Sequence, residues 1–202
     1  VSNLITKAGA DRVVTVDLHA GQIQGFFDIP VDNLFATPIF ARHARKKIKS
    51  KKIVCVAPDV GGTERARALG KLLNVGLAIV DKRRPKPGQS QVMNVIGDVK
   101  GQTCIIVDDI IDSGGTIVNA AKALKAKGAK EVFVYITHGV LSGDAVKKIK
   151  NSVIKNLVIT DTIDNSEKIR NVKNIEVLPI SGLIGEAIKR ISNSTSVSDL
   201  FK

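Results

Sequence analysis

Short apolar runs alternate with amphipathic segments along most of the chain. The β-branched run at 103–107 is typical of a strand buried on both faces, and similar runs lie at 12–18, 53–57, 77–80, 131–137, 157–160 and 175–178. Helical periodicity follows several of these runs, at 37–49, 63–73, 117–128 and 181–192. Strands that alternate with helices in this way predict an α/β fold, in which a parallel sheet is flanked by helices.

The segment 103–116 carries the most specific chemistry. Asp108 and Asp109 are expected at the carboxyl end of the central strand, and the loop that leads into the next helix contains Asp112, Ser113, Gly114, Gly115 and Thr116. Open α/β sheets bind ligands at this edge. The two glycines permit a tight turn, and the hydroxyls with the first helical N–H groups can cradle an anion. No Gly-Lys-[Ser/Thr] sequence follows, which indicates a phosphate monoester rather than a P-loop nucleotide.

The two consecutive carboxylates of this segment accept hydrogen bonds when they are ionised. They therefore suit the hydroxyls of a sugar, or water bound to Mg²⁺. A turn that only caps a helix is the alternative interpretation. The length and residue order of the segment favour a site for a phosphorylated sugar instead.

Three other stretches place charged residues near predicted strand ends. His19 suits a metal ligand, a phosphate contact or a structural group. Asp59 precedes two glycines and suits Mg²⁺, although it could equally cap the next helix. Lys82 and Arg84 lie in a basic, proline-containing segment, 81–90, which is expected to be a mobile loop. Such a loop can close over a phosphoryl group, or it can simply be a solvated charge run.

Composition narrows the functional classes. The chain has 202 residues, of which 44% are hydrophobic and 25% charged, as in a globular protein of one domain or slightly more. The net charge of +12 would suit nucleic acid, but with no Trp and one Tyr there is little on which bases could stack, so a basic surface is favoured over nucleic-acid binding. Cys55 and Cys104 lie in strand-like runs and are expected to be reduced thiols in the core of a cytoplasmic protein. No apolar run is long enough to predict a membrane span.

The segment 17–34, which begins Asp17-Leu-His-Ala-Gly-Gln, resembles the signature of the ribose-phosphate pyrophosphokinase (phosphoribosyl pyrophosphate synthetase) family. Further matches follow in order at 57–62, 82–84, 107–116 and 196–201, so that the resemblance covers essentially the whole chain. The central loop alone would indicate only the type I phosphoribosyltransferase fold.

The resemblance implies an activity and a role for each matching residue. The β,γ-pyrophosphoryl group of Mg²⁺–ATP would be transferred to the C1 hydroxyl of ribose 5-phosphate, with release of AMP, for nucleotide biosynthesis. His19 and Asp59 would lie at the Mg²⁺, and Lys82 with Arg84 would stabilise the transferring group. The implied contacts to ribose 5-phosphate are Arg84, Asp108, Asp109, Asp112, Ser113, Gly114, Gly115 and Thr116. Regulatory contacts for phosphate and ADP would map near Gln24, Asp32, Asn33, Ser196 and Phe201.

The family is built from two tandem domains and usually forms a hexamer. By this comparison, 1–35 is the remainder of a first domain, 36–192 is the second domain with the ribose 5-phosphate site, and 193–202 is a tail that packs back toward the first. Most of the first domain, including its loop for adenine, would then be missing. Two alternatives remain: a nucleobase phosphoribosyltransferase, which would not explain 17–33, and a catalytically incomplete partner subunit.

Overall fold

The computed structural model describes residues 1–83 and 92–201, with the side chains of residues 82, 83 and 92 excluded. Its chain divides into two compact units. Unit 1 comprises Val1–Ala36 and Pro179–Lys202, and unit 2 comprises Thr37–Leu178.

Unit 2 is built on a sheet whose described strands lie in the order β5-β4-β3-β6-β7-β8-β9. These strands are β3 (Ile53–Ala57), β4 (Gly76–Arg83), β5 (Val92–Ile96), β6 (Thr103–Ile111), β7 (Glu131–Gly139), β8 (Asn156–Thr160) and β9 (Ile175–Leu178). Every neighbouring pair is parallel except β4 with β5, which is antiparallel. The predicted α/β fold with a mainly parallel sheet is therefore confirmed, and the antiparallel edge strand is an addition to it.

The helices of unit 2 are α2 (Thr37–Lys47), α3 (Thr63–Leu73), α4 (Gly115–Ala126), α5 (Ala145–Lys150) and α6 (Ser166–Ile169). The β-branched residues of the central strands form a core with the apolar stripe of α4, in which Val56, Ile106, Leu124 and Ile136 are fully buried. Burial on this scale explains why the central strands read as continuous apolar runs.

Two strands extend three or more residues beyond their predicted ends. β4 continues to Arg83 because its end pairs with β5, with Arg83 opposite Val92. β6 continues to Ile111 because its end pairs with β7. Asp108 and Asp109 therefore lie within a strand, and the predicted loop 81–90 is wrong for 81–83, which belong to β4. The rest of that loop, 84–90, lies outside the described residues.

Unit 1 contains a parallel two-stranded sheet of β1 (Val13–Val16) and β2 (Val31–Leu34), together with helices α1 (Ser2–Lys7) and α7 (Ser181–Ser192). Short 3-10 helices span Gly21–Phe26 and Ser198–Phe201. Leu34, Ala187 and Val197 form its buried cluster. The division into domains at residues 35 and 192 stays a prediction. The structure differs from it for α7, which packs within unit 1 through Ala187 rather than belonging to the larger unit.

Both cysteines are free and fully buried, as expected for core thiols. Burial raises the pKa of each thiol to about 12. Each thiol therefore stays protonated at neutral pH. Within the described ranges, no helix combines the length and the apolar character that a membrane crossing requires.

Candidate active site

The order of the strands creates a switch point between β3 and β6. From β3 the chain proceeds outward to β4 and β5, and then returns to place β6 on the other side of β3. The two strands are parallel, with Val56 opposite Ile106, so that both end at the same edge of the sheet. A crevice at this edge is where doubly wound sheets bind ligands. The glycine-containing loops 58–62 and 112–116 follow these two strands directly.

The loop 112–116 turns sharply into α4. Gly114 has a φ of +75°, in the left-handed region that favours glycine, and a Cβ added there would still be 3.7 Å from the Ala145 Cβ. The backbone conformation, rather than lack of space, therefore explains the glycine.

The groups that could bind an anion in this loop are accessible. The side chains of Asp112, Ser113 and Thr116 are exposed. The loop is held through its carbonyl groups, since the Ser142 N–H donates to the Asp112 carbonyl at 3.1 Å and Lys148 Nζ donates to the Ser113 carbonyl at 3.2 Å. The first N–H groups of a helix have no intrahelical partner and favour an anion. The geometry is therefore compatible with the predicted phosphate cradle.

Asp108 and Asp109, on β6, meet an arginine from a neighbouring element. Arg65 lies in the first turn of α3, and its Nη1 is 3.1 Å from Asp108 Oδ1 and 3.2 Å from Asp109 Oδ1. The Asp109 N–H also donates to Asp108 Oδ1 at 3.0 Å. Burial first, and then hydrogen bonding and repulsion from Asp109, raise the pKa of Asp108 to about 7, while Arg65 acts in the opposite direction. Sequence reasoning missed Arg65.

Asp59 forms a contact within the loop after β3. The Gly62 N–H donates to Asp59 Oδ1 at 3.0 Å, but Gly62 is itself the N-cap residue of α3 and the helix has no side-chain cap among the described residues, so the expected capping by Asp59 is wrong. A metal role for Asp59 stays a prediction, as does one for His19, which follows β1 in unit 1 and is exposed. No group of three or more His, Cys, Asp or Glu side chains suited to a metal lies within the described ranges. Mg²⁺ is commonly held by one or two carboxylates plus substrate phosphates, so Asp59 fits such an ion, whereas the imidazole of His19 is not a ligand type that Mg²⁺ prefers.

The remaining predicted site residues divide between undescribed positions and unit 1. Arg84 and the side chain of Lys82 lie outside the described part of the chain. In unit 1, Asp32 pairs with Arg12, and Asn33 Oδ1 accepts from the Leu18 N–H at 3.2 Å. The other predicted regulatory contacts also lie in unit 1, namely Gln24, Ser196 and Phe201. Regulation by these residues stays a prediction.

His43 has a structural environment, as its place on an apolar helix stripe suggests. Its Nδ1 is 3.0 Å from the Tyr135 hydroxyl and its Nε2 is 3.1 Å from Glu176 Oε1. His138, at the end of β7, lies with Nδ1 3.0 Å from Thr162 Oγ1. None of these contacts of His43 and His138 involves Asp108 or Asp109.

Comparison with known proteins identifies the relatives of the chain. Residues 80–202 match the model of the phosphoribosyl synthetase-associated domain. The chain is 61% identical, over 201 residues, to a ribose-phosphate pyrophosphokinase of Bradyrhizobium diazoefficiens, and the match covers 100% of the chain and 63% of that protein. A protein of the same name from Hyphomonas neptunium is 61% identical over 202 residues, which are 100% of the chain and 65% of that protein. The chain thus spans slightly less than two thirds of the length of these relatives.

Comparison with solved structures identifies similar relatives. The phosphoribosylpyrophosphate synthetase of Mycobacterium smegmatis superposes with a TM-score of 0.87 at 38% identity, covering 96% of the chain and 62% of that structure. An adenine phosphoribosyltransferase superposes with a TM-score of 0.50 at 22% identity, covering 58% of the chain and 75% of that structure. The second likeness shows the shared fold alone.

Proposed function

The chain belongs to the ribose-phosphate pyrophosphokinase family, and from this premise we propose that it transfers the β,γ-pyrophosphoryl group of ATP to the C1 hydroxyl of ribose 5-phosphate, releasing AMP. The observation that carries the proposal is the match of the whole chain, at 61% identity, to proteins named for this activity. A nucleobase phosphoribosyltransferase has support only from the shared fold.

The geometry at the carboxyl ends of β3 and β6 supports the proposal. The exposed Ser113 and Thr116 hydroxyls and the first N–H groups of α4 would hold the 5-phosphate, with Asp112 and the two glycines shaping the loop. Asp108 and Asp109 would accept hydrogen bonds from the ribose hydroxyls. Phosphoryl transfer needs little covalent help from a protein, so a site of this kind works by positioning its substrates and neutralising their charge.

Three further parts of the proposal come from the resemblance. Lys82 and Arg84 would neutralise the charge that develops on the transferring group, and Arg84 would also contact ribose 5-phosphate. Asp59 would hold Mg²⁺ through a carboxylate oxygen, and the resemblance also gives His19 a metal role. When bound, Mg²⁺ would neutralise the phosphate oxygens of ATP. Assembly of the full-length protein as a hexamer belongs to the same proposal.

The test is AMP formation by the chain from ATP, Mg²⁺ and ribose 5-phosphate. We expect AMP to appear only when ribose 5-phosphate is present, and 5-phosphoribosyl 1-pyrophosphate to accumulate in equal amount. The double variant Asp112→Ala, Thr116→Ala is expected to bind ribose 5-phosphate at least 10-fold more weakly, because it loses a loop carboxylate and a hydroxyl of the cradle. A matched control, Asp98→Ala with Thr195→Ala, changes the same residue types away from the loop.

AMP formed without ribose 5-phosphate would contradict the proposal, since it would indicate hydrolysis of ATP. Ribose 5-phosphate binding without any AMP would restrict the chain to substrate binding. Unchanged binding in the loop variant would show that the 5-phosphate is held elsewhere.

A further inference from the structure

We propose that Arg65 is a positioning residue that holds Asp108 and Asp109 side by side and favours their ionised form, which accepts hydrogen bonds from the sugar of the substrate. The inference rests on the proposed function for the identity of the sugar. The arrangement of the three side chains is a property of the chain itself.

The contact between Arg65 and the two carboxylates crosses the switch point of the sheet. Arg65 belongs to the helix that follows β3, whereas both aspartates belong to β6, the strand on the far side of the crevice. Consecutive residues of a strand normally point to opposite faces. Here one guanidinium nitrogen reaches Oδ1 of both, at 3.1 and 3.2 Å. The guanidinium thus contacts two consecutive carboxylates at once.

The pair needs a cation because it is largely removed from water. The side chain of Asp108 is 18% exposed and that of Asp109 is 3% exposed. Two carboxylates this close repel one another, and burial disfavours the ionised form of each. In the described part of the chain, Arg65 is the cation that forms an ion pair with Asp108, and it is itself largely buried.

The other elements around Asp108 contribute little opposing charge. Its partner in register on β7 is the apolar Ile136, and β3 ends in the apolar Ala57. Among the described side chains, the titratable groups at this edge include His138, whose strand neighbour is Ile110, Asp81 near the end of β4, and Asp59 and Asp112 in the two loops. Neither loop aspartate can stabilise an ionised Asp108, whereas the Arg65 guanidinium, within the described part of the chain, can.

Ionisation matters because it decides what the pair can bind. An ionised carboxylate only accepts hydrogen bonds, whereas a protonated one donates through its O–H and loses acceptor capacity. Sugar hydroxyls on neighbouring carbons donate best to two acceptors held together. Loss of the arginine should therefore weaken sugar binding at neutral pH and leave it intact at high pH.

The experiment compares Arg65→Met and Arg65→Lys with the parent chain. The carboxyl carbon of Asp108 is titrated by NMR without substrate, and ribose 5-phosphate binding is measured by calorimetry between pH 6 and pH 9. In Arg65→Met we expect the titration midpoint of Asp108 to rise by about one unit, and ribose 5-phosphate affinity at pH 7 to fall about 5-fold and recover by pH 9. Arg65→Lys, which keeps the charge but not the planar fork, should shift the midpoint less and in the same direction.

The exposed Arg67, two residues further along the same helix, provides the matched control, and Arg67→Met should change neither quantity. The proposal would be overturned if the titration midpoint of Asp108 were unchanged in Arg65→Met. It would also be overturned if affinity for ribose 5-phosphate fell by the same factor at every pH, because Arg65 would then only connect the helix to the strand. If Arg65→Met does not fold, Arg65→Lys decides on the same criteria. A shifted midpoint in a chain that never binds ribose 5-phosphate would support the role of Arg65 while contradicting the proposed substrate.

Discussion

Asp108 illustrates how stability and binding oppose one another at a single residue. Burial, and then its neighbour Asp109, raise its pKa to about 7, well above the usual value for an aspartate. Between about pH 4 and pH 7 the folded chain therefore holds a proton that the unfolded chain releases. The free energy of unfolding should fall as pH rises through this window, because the folded state binds more protons than the unfolded state.

Asp108→Asn tests this relation. The amide resembles the protonated carboxyl, so the variant should match the parent at pH 5. At pH 8 it should be more stable by about 1–3 kcal/mol, because an ionised and buried group has been removed. Urea unfolding at both pH values provides the measurement, with Asp11→Asn as an exposed control. Equal effects at the two pH values would rule out ionisation of Asp108 as the cause.

At the scale of single residues, the sequence predicts the residues of the motif but not the residues that they contact in the folded chain. The order of acids, serine and glycines in 108–116 is specific enough to predict a phosphorylated-sugar site. Arg65 and Arg67 both occur in the polar part of one helix, and spacing alone does not distinguish them. Only the pairing of β3 with β6 brings Arg65, and not Arg67, into contact with the two carboxylates.

At the scale of elements, the antiparallel edge of the sheet depends on one close approach. Gly97 follows β5 with a φ of +106°, and a Cβ there would lie 3.0 Å from Ala78 Cβ and 3.1 Å from Ala78 Cα on β4. Any side chain at this position would therefore meet both an unfavourable backbone conformation and the wall of the neighbouring strand.

Gly97→Ala should consequently destabilise the chain by about 2–4 kcal/mol, the sum of backbone strain and steric displacement. Gly101→Ala is the control, since its φ is +70° but no atom lies within 4 Å of the added carbon, so it should cost only about 1–2 kcal/mol. Both losses of stability are measured by denaturant unfolding, from the shift of the midpoint between variants whose unfolding free energy depends equally on denaturant concentration. Equal losses in the two variants would show that contact with Ala78 contributes nothing.

Long periodic segments were predictable and short ones were not. Helices α3 and α7 occupy the predicted ranges 63–73 and 181–192, because eleven or twelve residues show a full apolar stripe. Helix α5 has six residues, too few for a period to emerge. Strand β2 escaped detection because Asp32 and Asn33 interrupt its apolar pattern, and both residues find partners only in the folded chain.

At the scale of the whole molecule, unit 2 is one continuous stretch of chain with its own core, whereas unit 1 combines both ends of the chain. The helix stripe of α7 predicts that the helix packs against something. It does not reveal which surface the helix covers, and this is why the division after Leu178 could not be found from periodicity.

We expect a fragment of residues 37–178 to fold by itself. It should show a cooperative thermal transition and a far-UV spectrum typical of an α/β protein, because its sheet and buried cluster lie within that range. Leu124→Ala in the fragment should lower the free energy of unfolding by about 2–5 kcal/mol, as expected for a cavity in a packed core. A fragment without a cooperative transition, or one indifferent to this substitution, would contradict an autonomous core.

The two buried thiols can be used to measure local opening of the sheet. Cys55 lies on β3 and Cys104 on β6, the strands that carry the two loops of the candidate site. A thiol-reactive reagent can modify either one only after its strand separates from the core, so the rate of labelling measures how often the neighbourhood of the site opens. A ligand bound at these strand ends should slow labelling of both cysteines in proportion to its occupancy. Binding can therefore be detected without any chemical turnover.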